Sequence, residues 1–184
     1  MTSGQIWAGH SGGTSWTKIF THPIGKSVTG LVVDPSDTDR LWVTFYGWGK
    51  TDGPMRVWLV ERVEYGGGDL DTSGPIIGWI KTNITGNLPS YLKLGTGWRM
   101  SKMIAVDPYR SNTVYVATDK GVYKGRGIAI EGESTGKKWY WQPFNCGMPW
   151  VSVSDLEVHS VTGSLFAATY GRSIYENALI GPEP

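Results

Sequence analysis

Aromatic and charged side chains occur together in several glycine- and proline-rich stretches of this chain. Flat aromatic rings can stack on the C–H faces of sugars, while charged and amide groups bind sugar hydroxyls. The same side chains could instead fold over sheet edges as packing. The candidate ligand-binding residues, for a polysaccharide or a protein partner, are Tyr46, Trp48, Trp98, Arg99, Trp150, Tyr170 and Arg172.

Acidic residues give one further chemical candidate. Glycoside hydrolysis normally uses two carboxyl groups on either side of the scissile bond. Asp119 is the catalytic candidate, but its setting between Thr118 and Gly121 is typical of a turn, so no catalytic residue is assigned. The histidines and Cys146 show no metal-ligand or nucleophile spacing, and the sequence predicts neither a metal nor another cofactor.

The elements that would position these side chains follow from a repeat. Residues 31–44, 104–118 and 155–169 each consist of an apolar run, a short polar turn and a second apolar run. Apolar runs of five to seven residues between Gly, Pro, Asp, Asn and Ser predict strands, and no helical period is present. The sequence therefore predicts an all-β protein built from a repeated unit.

Two complete units are predicted as four-stranded antiparallel meanders. Their strands cover 29–33, 41–46, 56–63 and 79–84 in one unit, and 102–106, 114–118, 121–124 and 138–143 in the next. A glycine-rich excursion at 127–136 is expected to separate the last two strands. Residues 5–8 and 15–19 match a third and fourth strand, whereas 152–158, 165–169 and 173–176 match a first, second and third.

Three sequence motifs indicate a more specific type of all-β fold. Residues 9–16 look like a degraded Asp-box, the bacterial-neuraminidase repeat, with Gly13 and Trp16 matching and Ser11 in place of the aspartate. Residues 114–123, and 165–175 with their Tyr-Gly-Arg triplet, are similar to the last blades of xyloglucanase-type glycoside hydrolases and sortilin-type propellers. The meander resembles a β-propeller blade.

This resemblance implies a single propeller segment over 1–184 with about three four-stranded blades, one split between the termini. Residues 5–20 form a half blade, 28–85 and 98–144 form blades, and 151–177 form a partial blade. In a propeller the second-to-third and fourth-to-first loops share one face, which places the candidate residues together. Most tryptophans within strands are expected to pack between blades: Trp7, Trp16, Trp42, Trp58, Trp79, Trp139 and Trp141.

The resemblance favours a binding or scaffold module, with part of a xyloglucanase-like hydrolase as the alternative, its catalytic carboxylates partly outside this chain; it suggests an extracellular location. Closed propellers have about 4–8 blades, so self-association or the remaining blades of a longer propeller is expected. A net charge of +1 without a Lys/Arg stripe argues against nucleic acid. No apolar run reaches the ~18 residues of a membrane span.

Overall fold

The computed structural model describes residues 4–47, 55–65, 76–94, 103–130 and 136–179. Strands make up the regular structure of these ranges, apart from one 3-10 turn at Ser11–Gly13. The strands are Gln5–His10 (β1), Ser15–Thr21 (β2), Val28–Asp34 (β3), Asp37–Phe45 (β4), Val57–Tyr65 (β5), Ile76–Asn83 (β6), Ile104–Val106 (β7), Thr113–Thr118 (β8), Gly121–Ala129 (β9), Lys137–Pro143 (β10), Val153–His159 (β11), Ser164–Thr169 (β12) and Ile174–Ala178 (β13).

The strands form four antiparallel sheets, each in chain order. Sheet 1 contains β1 and β2, sheet 2 contains β3 to β6, sheet 3 contains β7 to β10, and sheet 4 contains β11 to β13. The all-β class and the four-stranded antiparallel sheets predicted from the sequence are confirmed. Every pairing joins neighbours in the sequence, as expected where short polar turns separate successive apolar runs.

The glycine-rich connection predicted at 127–136 begins later in the structure, after Ala129. Strand β9 continues to Ala129 and pairs with β10 along its length. A Cβ atom on Gly125 would lie 2.6 Å from the Trp141 ring, and one on Gly127 would lie 2.8 Å from the Trp139 ring. These glycines are therefore strand residues that make room for two indoles on the neighbouring strand.

The sheets pack face to face in chain order. Strand β8 is buried on both faces: Val116 packs toward sheet 2, and Ala117 packs toward sheet 4. Strand β4 divides in the same way, with Trp42 toward sheet 3 and Val43 toward sheet 1. The first strands lie side by side, β3 next to β7 and β7 next to β11. Apolar burial on two faces explains the nearly continuous apolar runs in these strands.

Two tryptophans depart from the packing expected of strand residues. Trp42, Trp139 and Trp141 are buried as predicted, but Trp7 is 48% exposed and Trp16 is 61% exposed. Both lie on the face of sheet 1 that turns away from sheet 2, as their pairing with Lys18 and Gly9 shows. No other sheet of the described residues covers that face, so the packing prediction is wrong for these two residues.

In sheets 2 and 3, an aspartate at or just after the end of the first strand links the following turn to the second strand. The Asp34 carboxylate accepts hydrogen bonds from the Ser36 N–H at 2.9 Å and from Trp42 Nε1 at 3.0 Å. The Asp107 carboxylate accepts bonds from two turn N–H groups and from the Tyr115 hydroxyl at 2.9 Å. In both units the donor ring follows the aspartate by eight residues, so the repeat preserves a buried polar link.

The third copy replaces this link. His159 occupies the aspartate position, and its Nδ1 lies 2.9 Å from Thr162 Oγ1. The turn is one residue shorter here, and the strand register places Phe166 at the position of the aromatic donor, where it has no polar hydrogen to give. The carboxylate and its ring donor are thus lost together, and the turn of sheet 4 is held by a local bond instead.

Tyr115→Phe is expected to lower the free energy of unfolding by about 1–3 kcal/mol, because the buried Asp107 carboxylate loses a donor. Burial, aided by the Asp107 charge, raises the pKa of Tyr115. Its contribution is therefore complete below the pKa of an unfolded tyrosine, about 10, and falls as the pH rises above that value. Urea unfolding from pH 7 to 11 should show a shallower alkaline loss in the variant.

A matched control for that titration is Tyr140→Phe, since Tyr140 is 43% exposed. Arg56 acts in the opposite direction, because burial lowers its pKa to about 10 and its deprotonation in the folded state favours folding at higher pH. Both variants retain Arg56, so the difference between them isolates Tyr115. Equal alkaline slopes in the two variants would contradict the assignment.

Candidate functional site

The turns and connections of the four sheets separate into two ends. The turns stapled by Asp34 and Asp107 lie at one end. In an antiparallel meander, the second-to-third turns and the connections into the next sheet must lie at the other end. We call this other end the loop face and define it by residues 46–47, 93–94, 119–120, 145–152 and 170–172.

Backbone pairing brings the first part of the loop face together. Gly47 pairs with Leu94 across an isolated bridge. The next residue back, Lys93, donates its N–H to the Asp119 carboxylate at 2.8 Å and accepts the Asp119 N–H at 3.1 Å. Half-buried Tyr46 therefore lies on the same surface as Asp119. The Asp119 carboxylate anchors the connection to the turn, which matches the turn interpretation of this residue.

Arg56, which sequence reasoning missed, holds the connection between β6 and β7 from below. Its side chain is fully buried, and its guanidinium donates to the carbonyls of Leu88 at 2.9 Å, Pro89 at 3.0 Å and Leu92 at 2.8 Å. Burial lowers the pKa of Arg56 to about 10, partly offset by the Asp119 charge, so it stays protonated at neutral pH. A charged residue at the start of an apolar strand was the available signal.

Two other polar side chains hold the remaining connections. His22 is buried, with Nε2 2.7 Å from the Met55 carbonyl and Nδ1 accepting the N–H groups of Ile24 and Lys26. Because Nδ1 accepts, the proton is on Nε2 and the ring is fixed. Asn145 accepts the Val122 N–H at 2.7 Å in the third connection. Hydrogen bonds from Arg56, His22 and Asn145 therefore hold the connections of the loop face in place.

Tyr91 adds an aromatic surface that the sequence analysis did not select. Its ring is 62% exposed, and its hydroxyl is near enough to the buried Tyr123 hydroxyl to influence the pKa of Tyr123. Burial, then Tyr91 and then the Asp119 charge raise the pKa of Tyr123, so this phenol stays neutral. The exposed ring and the Asp119 turn therefore lie near the same phenol. The sequence feature that could have identified Tyr91 is the one shared by the other aromatic candidates, an aromatic residue in a glycine- or proline-containing connection.

Three of the sequence-predicted residues lie in two neighbouring segments at the second part of the loop face. Trp150 is 66% exposed and Tyr170 is 79% exposed, while Arg172 is exposed in the same turn as Tyr170. The Tyr170 N–H donates to the Ser152 carbonyl at 2.8 Å, which places the Trp150 segment beside the β12–β13 turn. Thr169 closes that turn by donating its hydroxyl to the Ser173 carbonyl at 2.6 Å.

A groove of about 140 Å³ lies between sheets 3 and 4. Its walls include Phe144, Met148, Leu165 and Tyr175. Trp48, Trp98 and Arg99 lie outside the described residues. The structure thus groups Trp150, Tyr170 and Arg172 and puts Tyr46 at the other part of the same face.

Comparison with protein-family models, with curated proteins and with solved structures found no match for this chain. Within the described ranges, no group of three or more His, Cys, Asp or Glu side chains is placed to hold a metal ion. The same part of the chain contains no helix that is long and apolar enough to cross a membrane.

Proposed function

We propose that this protein is a binding module that recognises polysaccharide on its loop face. The observation that carries the proposal is a pair of exposed rings, Trp150 and Tyr170, in segments that the Tyr170–Ser152 backbone bond holds side by side, with Arg172 exposed in the Tyr170 turn. Exposed aromatic rings held by backbone bonds can stack on sugars at a small entropic cost. An adjacent guanidinium supplies five donors for hydroxyl groups.

We further propose that the sheets are blades of a β-propeller. This arrangement is supported by two four-stranded meanders that pack face to face, and by first strands β3, β7 and β11 that lie side by side. Sheet 1 supplies outer strands of one blade and sheet 4 supplies the first three strands of another. The ring is then completed by a second copy of this chain or by further blades of a longer chain.

Catalysis on this chain is not part of the proposal. The Asp119 carboxylate accepts the Lys93 N–H and holds the connection to the turn, which is a structural role. The hydrolase alternative stays a prediction that requires carboxylates outside this chain. A hydrolysis assay run beside each binding assay tests it.

Trp150→Ala and Tyr170→Ala are each expected to weaken polysaccharide binding by about tenfold, because each removes a stacking ring worth about 1.4 kcal/mol. A polysaccharide panel in affinity electrophoresis identifies the ligand, and titration calorimetry measures the loss. Trp16→Ala is the matched control, since Trp16 is 61% exposed at the opposite end of the sheets.

Two outcomes would contradict the loop-face proposal. One is wild-type protein that binds no polysaccharide of the panel but binds a protein partner. The other is an equal loss of affinity in Trp16→Ala and Trp150→Ala. Turnover of a polysaccharide that Asp119→Asn abolishes would replace the binding function with the hydrolase alternative.

A further inference from the structure

The outer two strands of sheet 3 carry a second surface, separate from the loop face. In the β9–β10 register, Tyr140 lies opposite Arg126, and Gln142 lies opposite Lys124. Directly paired residues share a sheet face, so these four side chains project to the same side. Lys138 joins them, since it lies two residues before Tyr140 on the same strand.

Packing on the other side of these strands keeps this surface outward. Trp139 and Trp141 are buried against sheet 2, and the alternate residues of β10 must point the opposite way. Arg126, Lys138 and Gln142 are exposed, and Tyr140 is 43% exposed. The two buried tryptophans therefore orient a polar face that carries one aromatic ring.

The charges of this surface are of one sign. Strands β9 and β10 contain Lys124, Arg126, Lys137 and Lys138 and no acidic residue. The Lys138 ammonium lies 5.3 Å from the centre of the Tyr140 ring, and the Lys137 ammonium donates to the Asn112 amide at 2.9 Å. On sheet 2, Arg62 is paired with Asp39 and Glu64.

A groove of about 290 Å³ runs along the edge of β10 at this surface. Arg126, Tyr140 and Gln142 line it together with Asn87 and Lys124. Asn87 accepts the Trp141 N–H at 2.6 Å and donates to the Trp141 carbonyl at 3.2 Å, so its position is fixed by the edge strand. The groove thus combines cations, amide groups and a ring within one concave site.

We propose that this groove binds the acidic groups of a polysaccharide, namely carboxylate or sulfate. The polysaccharide class rests on the proposed function, but the residues are different from those of the loop face. A guanidinium can donate two parallel bonds to a carboxylate or sulfate, the Tyr140 ring can stack on the sugar, and Gln142 can bind its hydroxyls. Lys124 and Arg126 lie two residues apart on β9, which is about 7 Å along the strand. This spacing suits successive acidic groups of one polysaccharide chain.

A nucleic acid is the less favoured occupant. Binding to a phosphate backbone depends on many cations along the path of the strand, whereas the net charge of the whole chain is only +1. The cations of this surface are confined to one hairpin.

The test compares ligands that differ in acidic groups alone. Affinity electrophoresis and calorimetry would use dextran sulfate against dextran, and polygalacturonate against its methyl ester. The protein is expected to bind the acidic member of at least one pair about tenfold more tightly, with affinity falling as salt rises. The two pairs distinguish sulfate from carboxylate.

Arg126→Gln removes a cation that lines the groove and is expected to reduce affinity for the acidic ligand about tenfold, while affinity for neutral ligands stays unchanged. Arg62→Gln is the control, because it removes one positive charge from sheet 2. Trp150→Ala should leave the acidic preference unchanged, so failure of the loop-face proposal can be told apart from failure here. Equal binding within both pairs, tighter binding to single-stranded DNA, or an equal loss in Arg62→Gln would overturn the proposal.

Discussion

Arg56→Met is expected to reduce the free energy of unfolding by about 3–5 kcal/mol, one of the two largest losses expected from single substitutions in this chain. The guanidinium donates to three carbonyls of the β6–β7 connection, and of these the Pro89 carbonyl also accepts the Leu92 N–H. Each buried carbonyl left without a donor costs about 1–3 kcal/mol. Methionine fills most of the volume but donates no hydrogen bond, so the cost comes from polarity rather than from a cavity.

The buried charge of Arg56 carries its own cost, which is why its pKa is lowered to about 10. Removing a buried ion pair together with both partners is often neutral, because no polar group is left behind. Here the acceptors are backbone carbonyls that no side-chain substitution removes. The loss of donors therefore outweighs the relief of desolvation, and the variant is destabilised.

Urea unfolding at pH 7 measures the effect, with Arg62→Met as the matched control. Arg62 forms surface ion pairs with Asp39 and Glu64, and exposed pairs contribute little to stability. Arg56→Lys should fall between wild type and Arg56→Met, because one ammonium cannot reach all three carbonyls. If Arg56→Met unfolds at the same urea concentration as Arg62→Met, the support assigned to Arg56 is wrong.

Trp42→Ala is expected to destabilise the protein by about 3–5 kcal/mol through the cavity that it leaves. Trp42 is fully buried between sheets 2 and 3, and its ring meets the Trp139 ring edge to face at 5.4 Å between centroids. The substitution also removes the Nε1 donor of the Asp34 carboxylate. Packing between two sheets and the link to the turn are lost together.

Trp42→Phe separates those two contributions. It keeps an aromatic ring between the sheets but removes the donor, and the expected loss is about 1–3 kcal/mol. The loss of unfolding free energy at low pH, which we call the acid limb, should also change in this variant. Burial raises the pKa of Asp34, but the bonds from Ser36 and Trp42 and the Arg40 charge outweigh burial and lower it overall. The stability this gives is present above the unfolded pKa of about 3.9 and is lost as the pH falls through the folded value.

Thermal and urea unfolding between pH 2 and 7 would measure both Trp42 variants. Trp7→Ala serves as the control, because Trp7 is 48% exposed and its truncation leaves no buried cavity. A loss in Trp42→Ala no larger than that in Trp7→Ala would show that the contact between sheets 2 and 3 contributes little. An acid limb in Trp42→Phe identical to that of wild type would remove Trp42 from the causes of the lowered Asp34 pKa.

The candidate site was predictable in part. Trp150, Tyr170 and Arg172 were selected from residue type and loop composition, and the structure groups them through the Tyr170–Ser152 bond. Tyr91 carried the same local signal but was passed over. Arg56 could not be interpreted from its neighbours in the sequence, because its three acceptors lie more than thirty residues away.

The sequence alone determined the all-β class, the position of nearly every strand and the aspartate turns. Those features depend on neighbours within a few residues, namely alternating apolar side chains and the turn preferences of Asp, Pro and Gly. The tertiary structure decided the rest. Gly125 and Gly127 lie within a strand because the indole rings of two tryptophans on the next strand occupy the space of a Cβ atom there. Trp7 and Trp16 are exposed because no described sheet covers them. Burial depends on residues distant in the chain, which local patterns do not encode.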